Sequence, residues 1–263
     1  MKLKHARLID SGIADAAWNM AVDEAMLSLQ PKIGFATLRF YRWEVPTLSI
    51  GYFQKTSGID LNACRQRSFA FVRRPTGGRA VLHDKELTYS FVCGLDQLPA
   101  SVNGSHERIN RALAHGLRRL GFDPVLARKT ESGRSHACFD APSYSELTIQ
   151  GKKVAGSAQT RSREALLEHG SIPLEFDVHQ LVSLFSLNGQ AKALAERLQR
   201  SAAGLNELSS HAIRLADLKC AIQMGFEEEF GFRLELADLS AEERDLASEL
   251  LEKYLSDGWN LGR

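Results

Sequence analysis

A cysteine and a lysine fifteen residues apart are the chain's strongest candidates for covalent chemistry. Cys138 lies in Ala137-Cys138-Phe139-Asp140-Ala141-Pro142-Ser143, and Lys153 in Gly151-Lys152-Lys153-Val154-Ala155-Gly156-Ser157. A thiolate attacks acyl carbons readily, and a nearby cation lowers the thiol pKa. A short strand pair could bring the two side chains together as an acyl-transfer pair. Cys138 follows Arg134 and His136 and precedes Pro142, an irregular setting in which a side chain could face a pocket. Cys64, Cys93 and Cys220 read instead as small buried hydrophobes. Lys153 has a bland alternative, a solvated hairpin lysine. If it faces outward, Val154 faces the core and Ala155 points with Lys153. The small residues from Ala155 to Ala158 leave room there for a ligand.

Two further segments carry candidate chemistry. Arg73-Arg74-Pro75-Thr76-Gly77-Gly78-Arg79-Ala80-Val81-Leu82-His83 places paired glycines after a strand. Their amides could cradle a carbonyl or phosphate, or simply make a hairpin turn with exposed arginines. The spacing is not that of a Walker loop. His83 taken alone reads as structural. His169-Gly170-Ser171 reads either as a ligand contact or as a strand end with a glycine kink.

The elements that must position these residues can be placed coarsely. Trp18, Ala21, Val22, Ala25, Met26 and Leu29 recur at helical spacing. Strands are expected at 37–41, 47–51, 69–73 and 87–92, and an amphipathic helix at 106–120 capped by Gly121. A second strand group is expected at 146–149, 153–158 and 165–172, with a hairpin turn at Gln150-Gly151-Lys152. From Asp177 onward the pattern turns helical, and Ser240-Ala241-Glu242-Glu243 reads as a capping box for a helix ending near Gly258. The change near residue 175 marks either a domain edge or a helical C-terminal lobe.

The chain's 263 residues suffice for one large α/β domain or two small ones. No apolar run approaches the roughly 20 residues that span a bilayer, and the first residues lack the apolar stretch of a signal peptide. The four cysteines form no C-x-x-C pair, which argues against zinc and a disulfide framework and suits a cytoplasmic protein. The net charge of +1 hides an asymmetry. Residues 1–170 hold 24 Lys and Arg against 16 Asp and Glu, giving +8; residues 171–263 hold 9 against 16, giving −7. A basic front half suggests an acidic partner, or only solvated surface charge. The arginine-bearing helix lacks interleaved aromatics, which with a pI near 7.7 argues against nucleic acid.

Taken together, the segments resemble the biotin/lipoate protein ligase and lipoyl-transferase family. The likeness runs from about Trp18 to Pro173. Its markers, in order, are Asn19-Met20-Ala21-Val22-Asp23-Glu24; Arg39 with Trp43, Pro46 and Gly51; the 73–83 segment; the Gly151–Gln159 segment; and His169-Gly170-Ser171. Within the family, Cys138-Phe139-Asp140-Ala141-Pro142-Ser143 looks most like the cysteine-dependent octanoyltransferases. ATP-dependent ligases typically show an Arg-Asn-Asp type segment there. A related amidotransferase uses its cysteine in a Phe-Cys-Pro-Gly-like context not matched here.

The resemblance implies a mixed α/β (α+β) fold of the biotinyl/lipoyl ligase catalytic-domain type, akin to class II synthetases. One such domain over 1–263 is expected, with about 175–263 as a mainly helical lobe. It implies an octanoyltransferase with Cys138 and Lys153 as catalytic residues. Arg74, Thr76, Gly77, Gly78, His83, Gly156, Ser157 and His169 are the implied substrate-binding residues. Octanoyl-acyl carrier protein would donate. A lipoyl-domain protein would accept, such as the glycine cleavage H protein or a 2-oxoacid dehydrogenase E2. No cofactor, metal, membrane or nucleic acid is implied. In that scheme Lys153 favours the thiolate and then helps accept the amine proton, while amides near Gly77-Gly78 or Gly156-Ser157 stabilise the oxyanion. A +8 front half facing acidic carriers predicts transfer that slows as salt rises. The alternatives are an ATP-dependent lipoate ligase, with Cys138 incidental, and a non-catalytic acyl- or carrier-binding protein.

Overall fold

In the computed structural model, residues 4–127, 137–140 and 146–262 are described. The chain opens with β1 (Lys4–Ala14), α1 (Ala16–Ile33), β2 (Thr37–Trp43) and β3 (Thr47–Ile50). Next come α2 (Leu61–Gln66), β4 (Ala70–Arg73), β5 (Val81–His83), β6 (Glu86–Gly94) and α3 (Val102–Arg119). The strands β7 (Val125–Leu126), β8 (Leu147–Ile149), β9 (Lys152–Lys153), β10 (Gly156–Arg161) and β11 (Ala165–Pro173) follow. The remainder comprises α4 (Val178–Val182), α5 (Ala191–Ser201), α6 (Leu215–Phe230), β12 (Phe232–Leu236), α7 (Ala241–Leu255) and α8 (Asp257–Leu261).

Among the described residues, six strands form a mixed sheet in the order β10-β11-β6-β2-β1-β12. Two small sheets, β4-β3-β5 and β7-β8-β9, flank it. Strand alternation decides which helices cover which face. Leu38, Phe40, Leu87, Tyr89 and Phe91 pack against Ile109 and Leu113 of α3 and Ile222 and Phe226 of α6. Tyr41, Trp43, Val92 and Leu167 pack on the other face against Met20, Val22 and Met26 of α1 and Ala247 and Tyr254 of α7. A third cluster joins Leu48, Ile50 and Val81 of the β3 sheet to Phe139, α4 and α5. No described helix is long and apolar enough to cross a membrane.

Several expectations are corrected. The strand expected at 153–158 is two strands in different sheets. The chain leaves the β8–β9 hairpin at Lys153, crosses through Val154 and Ala155, and joins the large sheet at Gly156. Lys153, Val154 and Ala155 are therefore all buried, and the alternation that would have aimed Lys153 at solvent does not apply. The hairpin turn itself stands at Gln150 and Gly151, both at positive φ (52° and 76°). His169-Gly170-Ser171 is not a strand end. It lies inside β11, paired with β10 on one side and β6 on the other. α3 starts four residues early, at Val102, because Ser101 caps it through the Gly104 amide. The last helix stops at Leu255, and Ser256 caps the short α8.

Part of the charge asymmetry is met by ion pairs within the molecule. Arg7 pairs with Glu243, Lys32 with Glu242, Lys85 with Glu175, Arg111 with Glu229 and Arg119 with Glu228. In each of these pairs the front half supplies the cation and the back half the anion. Two pairs run the other way, Lys219 with Asp10 and Lys253 with Glu24, so part of the front half's basic excess is met within the chain.

Candidate active site

The segment 137–140 is pinned to the glycine-rich segment. Ala137 bridges Ala80 in parallel, and the Cys138 amide donates to the Ala80 carbonyl at 2.9 Å. Cys138 opens a single turn of 3₁₀ helix, with its side chain partly exposed. Phe139 is buried beneath it and tilts against Phe176. On the far side lies Gly156. A Cβ there would stand 3.1 Å from the Phe139 ring and 3.5 Å from the Cys138 sulfur. The first contact is tighter than packed carbons normally allow, so the glycine is what lets this strand approach the cysteine.

Lys153 reaches the cysteine from the hairpin. Its Nζ lies 3.8 Å from Cys138 Sγ, 3.0 Å from the Cys138 carbonyl and 2.6 Å from Glu146 Oε1. The ammonium also stands 5.2 Å over the Phe139 ring. Lys153 is fully buried. Burial alone would lower its pKa, but the charges of Cys138 and Glu146 outweigh that and hold it above the ordinary lysine value. The side chain is an ammonium at neutral pH. Arg74 is a second buried cation whose charge acts on Cys138, its own pKa lowered by burial to about 10.

The cleft beside Cys138 is lined by Arg74, His83, Gly156, Ser157 and His169 among the residues expected from sequence. Met20, Trp43, Val81 and Ala158 give it apolar walls suited to a hydrocarbon chain. Thr76, Gly77, Gly78 and Lys153 do not line it. Gly77 and Gly78 fold over Gly51, where a Cβ would meet the Gly78 carbonyl oxygen at 2.0 Å.

Most of the polar lining is already engaged. Arg74 donates to the carbonyls of Gly77 (2.7 Å) and Arg79 (2.8 Å) and to Ser49 Oγ (3.1 Å). It is the clasp of the glycine loop, which leaves its donors directed at protein atoms. His83 hydrogen-bonds Glu86 through Nδ1 (2.7 Å) and Ser49 through Nε2 (2.8 Å), and it stacks on Trp43 at 4.3 Å. Glu86 also accepts from Ser171 and Thr88. Burial would raise the Glu86 pKa, but His83 and these hydroxyls bring it below the ordinary value.

His169 bonds Asp23 through Nδ1 (2.9 Å) and Thr76 through Nε2 (2.6 Å). A carboxylate at Nδ1 requires N–H there, so Nε2 accepts from the Thr76 hydroxyl. Burial depresses the His169 pKa beyond what Asp23 restores, and the ring is neutral. Asp23 also accepts from Arg39 (2.8 Å) and Tyr41 (3.0 Å), and the His169 hydrogen bond with the Arg39 charge overcomes burial and holds its pKa below the ordinary carboxylate value. Asn19 accepts from Arg39 as well.

The residues missed from sequence are Glu146, Ser49 and the apolar lining at Met20, Trp43 and Val81; Ala158 lies where the sequence left room for a ligand. Glu146 stood only as the first residue of an expected strand, and no spacing rule ties it to Lys153. Ser49 lay inside an expected strand, between the markers Pro46 and Gly51, with no chemistry assigned to it. Arg134, His136, Pro142 and Ser143 lie outside the described residues.

Residues 15–227 match the family model described as the lipoyl protein ligase A/B catalytic domain. Proteins named octanoyltransferase LipM are similar over nearly their full length. Those of Kyrpidia tusciae (45% identical; 97% of each chain), Geobacillus kaustophilus (46%; 98% of each) and Bacillus subtilis (42%; 98% of each) are examples. Among solved structures, a lipoate-protein ligase A bound with ATP superposes with a TM-score of 0.82 at 25% identity, covering 98% of this chain and 99% of that one. A bi-partite lipoate protein ligase from Thermoplasma acidophilum gives 0.83 at 23% identity, covering 98% and 97%.

Proposed function

The chain belongs to the lipoyl protein ligase A/B catalytic-domain family, and on that premise we propose that it is an octanoyltransferase of lipoate biosynthesis working through a Cys138 thioester. The observation that carries the mechanism is the 3.8 Å approach of the buried Lys153 ammonium to the Cys138 sulfur. An ammonium at that distance favours thiolate over thiol.

Octanoyl-acyl carrier protein is the donor. The Cys138 thiolate attacks the thioester carbon, the new C–S bond forms, and the carrier's thiol leaves with the electron pair. The octanoyl chain lies along Met20, Trp43 and Val81. The Gly156–Ser157 backbone lies beside the sulfur and is the better placed candidate for oxyanion stabilisation. Gly77 and Gly78 act at one remove, through the loop that Arg74 clasps. A lysine of a lipoyl domain then attacks the Cys138 thioester, giving the amide and restoring the thiolate. The acceptor is a lipoyl-domain protein such as the glycine cleavage H protein or a 2-oxoacid dehydrogenase E2. Because the donor is already a thioester, no ATP enters. All four cysteines are free thiols, which suits a reducing cytoplasm. Residues 1–263 are read as one catalytic unit, with β12 and the Arg7–Glu243 pair tying the C-terminal part to the sheet.

The test supplies purified lipoyl domain with either octanoyl-acyl carrier protein alone or free octanoate plus ATP. Modification of the lipoyl domain in the first mixture is the expected result. Modification only in the second would replace the transferase with an ATP-dependent ligase, and none in either would indicate a binding protein.

A further inference from the structure

Among the described residues, Glu146 is an unassigned side chain in direct contact with the reacting pair. Its carboxylate and the Cys138 sulfur are both within reach of the Lys153 ammonium, and both it and Lys153 are buried. We propose that Glu146 is a positioning residue that holds Lys153 as a fixed ammonium beside Cys138 throughout the reaction, so that Lys153 steadies the sulfur's charge and does not act as base for the acceptor amine. The proposal rests on the thioester mechanism above.

An ammonium has three N–H donors and no acceptor. Glu146 Oε1, the Cys138 carbonyl and the Cys138 sulfur give Nζ three partners, at 2.6, 3.0 and 3.8 Å. No lone pair remains to face a substrate. A buried ammonium needs a counter-ion. Before the first step the Cys138 thiolate is one such partner. Acylation turns that sulfur into a neutral thioester, and within this triangle only Glu146 is still an anion. Without Glu146, burial would be left to lower the Lys153 pKa in the acyl-enzyme.

The consequence falls on the second step. The acceptor nitrogen attacks the thioester carbon. The C–N bond forms, the C–S bond breaks, and the electron pair returns to Cys138 sulfur beside the waiting ammonium. The proton lost by the acceptor nitrogen goes to water. The first step needs the same cation, but there the thiolate itself helps retain it.

The experiment separates the half-reactions by intact mass. Wild-type, Glu146→Gln and Glu146→Asp enzymes are loaded from octanoyl-acyl carrier protein, freed of donor, and mixed with lipoyl domain. In Glu146→Gln, octanoyl adduct formation is expected within about threefold of wild type. Loss of the adduct to lipoyl domain should slow by about tenfold or more. Glu146→Asp should recover most of that loss. A second step in Glu146→Gln that is unchanged or faster overturns the proposal, since freeing the Lys153 lone pair would speed a base. So does Glu146→Asp as slow as Glu146→Gln, which would make the role one of shape. Should Glu146→Gln not fold, Lys153→Arg and Lys153→Met carry the test. A guanidinium keeps its charge and cannot take the proton. A fixed cation therefore predicts transfer by the Arg variant at least about tenfold above the Met variant, and equal loss overturns it. Absence of an adduct on wild-type Cys138 would instead sink the thioester mechanism itself.

Discussion

The two walls of the cleft differ in how completely their polar groups are used. Behind the side lined by His169 and Tyr41, Asp23, Thr76 and Arg39 complete a set in which each group is buried and holds another at 2.6–3.0 Å. The Arg74–Ser49–His83–Glu86 set is joined in the same way. At Cys138, by contrast, the sulfur is partly exposed, and its only hydrogen-bonding contact among the described residues is the long one to Lys153. Saturated networks hold shape, whereas a group left open to the cleft can react. Most of the motif residues therefore serve as scaffold, and the chemistry falls to the Cys138–Lys153 pair.

Substitutions should separate the walls. The largest effect is expected at the cation behind the open sulfur. Lys153→Met should lower octanoyl transfer by about 10²–10³-fold, measured as single-turnover modification of a lipoyl domain. It should also move the pH profile of Cys138 alkylation upward, because the removed cation leaves Glu146 facing the sulfur. An unmoved alkylation profile would detach Lys153 from the cysteine.

On the saturated wall, the cost should appear as stability. Asp23→Ala strands Arg39 and His169 and should destabilise the fold by about 3–5 kcal/mol in denaturant titration. A loss of activity with unchanged stability would instead make Asp23 part of the reaction. Gly170→Ala is next. Its Cβ would meet Ser157 Oγ and the Tyr89 ring at 2.7 Å, inside a fully paired strand. A penalty of about 1–3 kcal/mol is expected.

His169 supplies a pH test of the same wall. Its folded pKa lies below the ordinary 6.5. As pH falls past that ordinary value, the unfolded chain takes up a proton that the folded ring refuses. Stability from this group is therefore present above pH 6.5 and declines as pH drops toward the depressed folded value. A His169→Gln variant should lose that portion of the acid dependence, and retention of the full dependence would assign it elsewhere. The smallest effect is expected at the surface. Arg119→Gln breaks an exposed pair with Glu228 and should change stability by no more than about 1 kcal/mol. Because such pairs offset part of the basic excess, the salt dependence of transfer should be milder than the +8 suggests.

The sequence carried much of this architecture, for reasons that differ by element. α1 and α3 were legible because long apolar stripes have a helical period. β12 was not identified, although Phe232, Leu234 and Leu236 alternate, because helical patterns surround it. β1 hides behind mixed residues and an irregular register near Gly12. The lysine's burial was illegible because a sheet change at Val154 breaks the two-residue period. Cys138 was legible through its setting. Glu146 was not, since its pairing with Lys153 depends on the hairpin register and on no local pattern.

The account turns on Cys138 as the acyl carrier. Wild-type and Cys138→Ala proteins are mixed with octanoyl-acyl carrier protein, without ATP, and their intact masses are measured. Wild type should gain one octanoyl group and the variant none. A normal octanoyl adduct on Cys138→Ala would contradict the assignment.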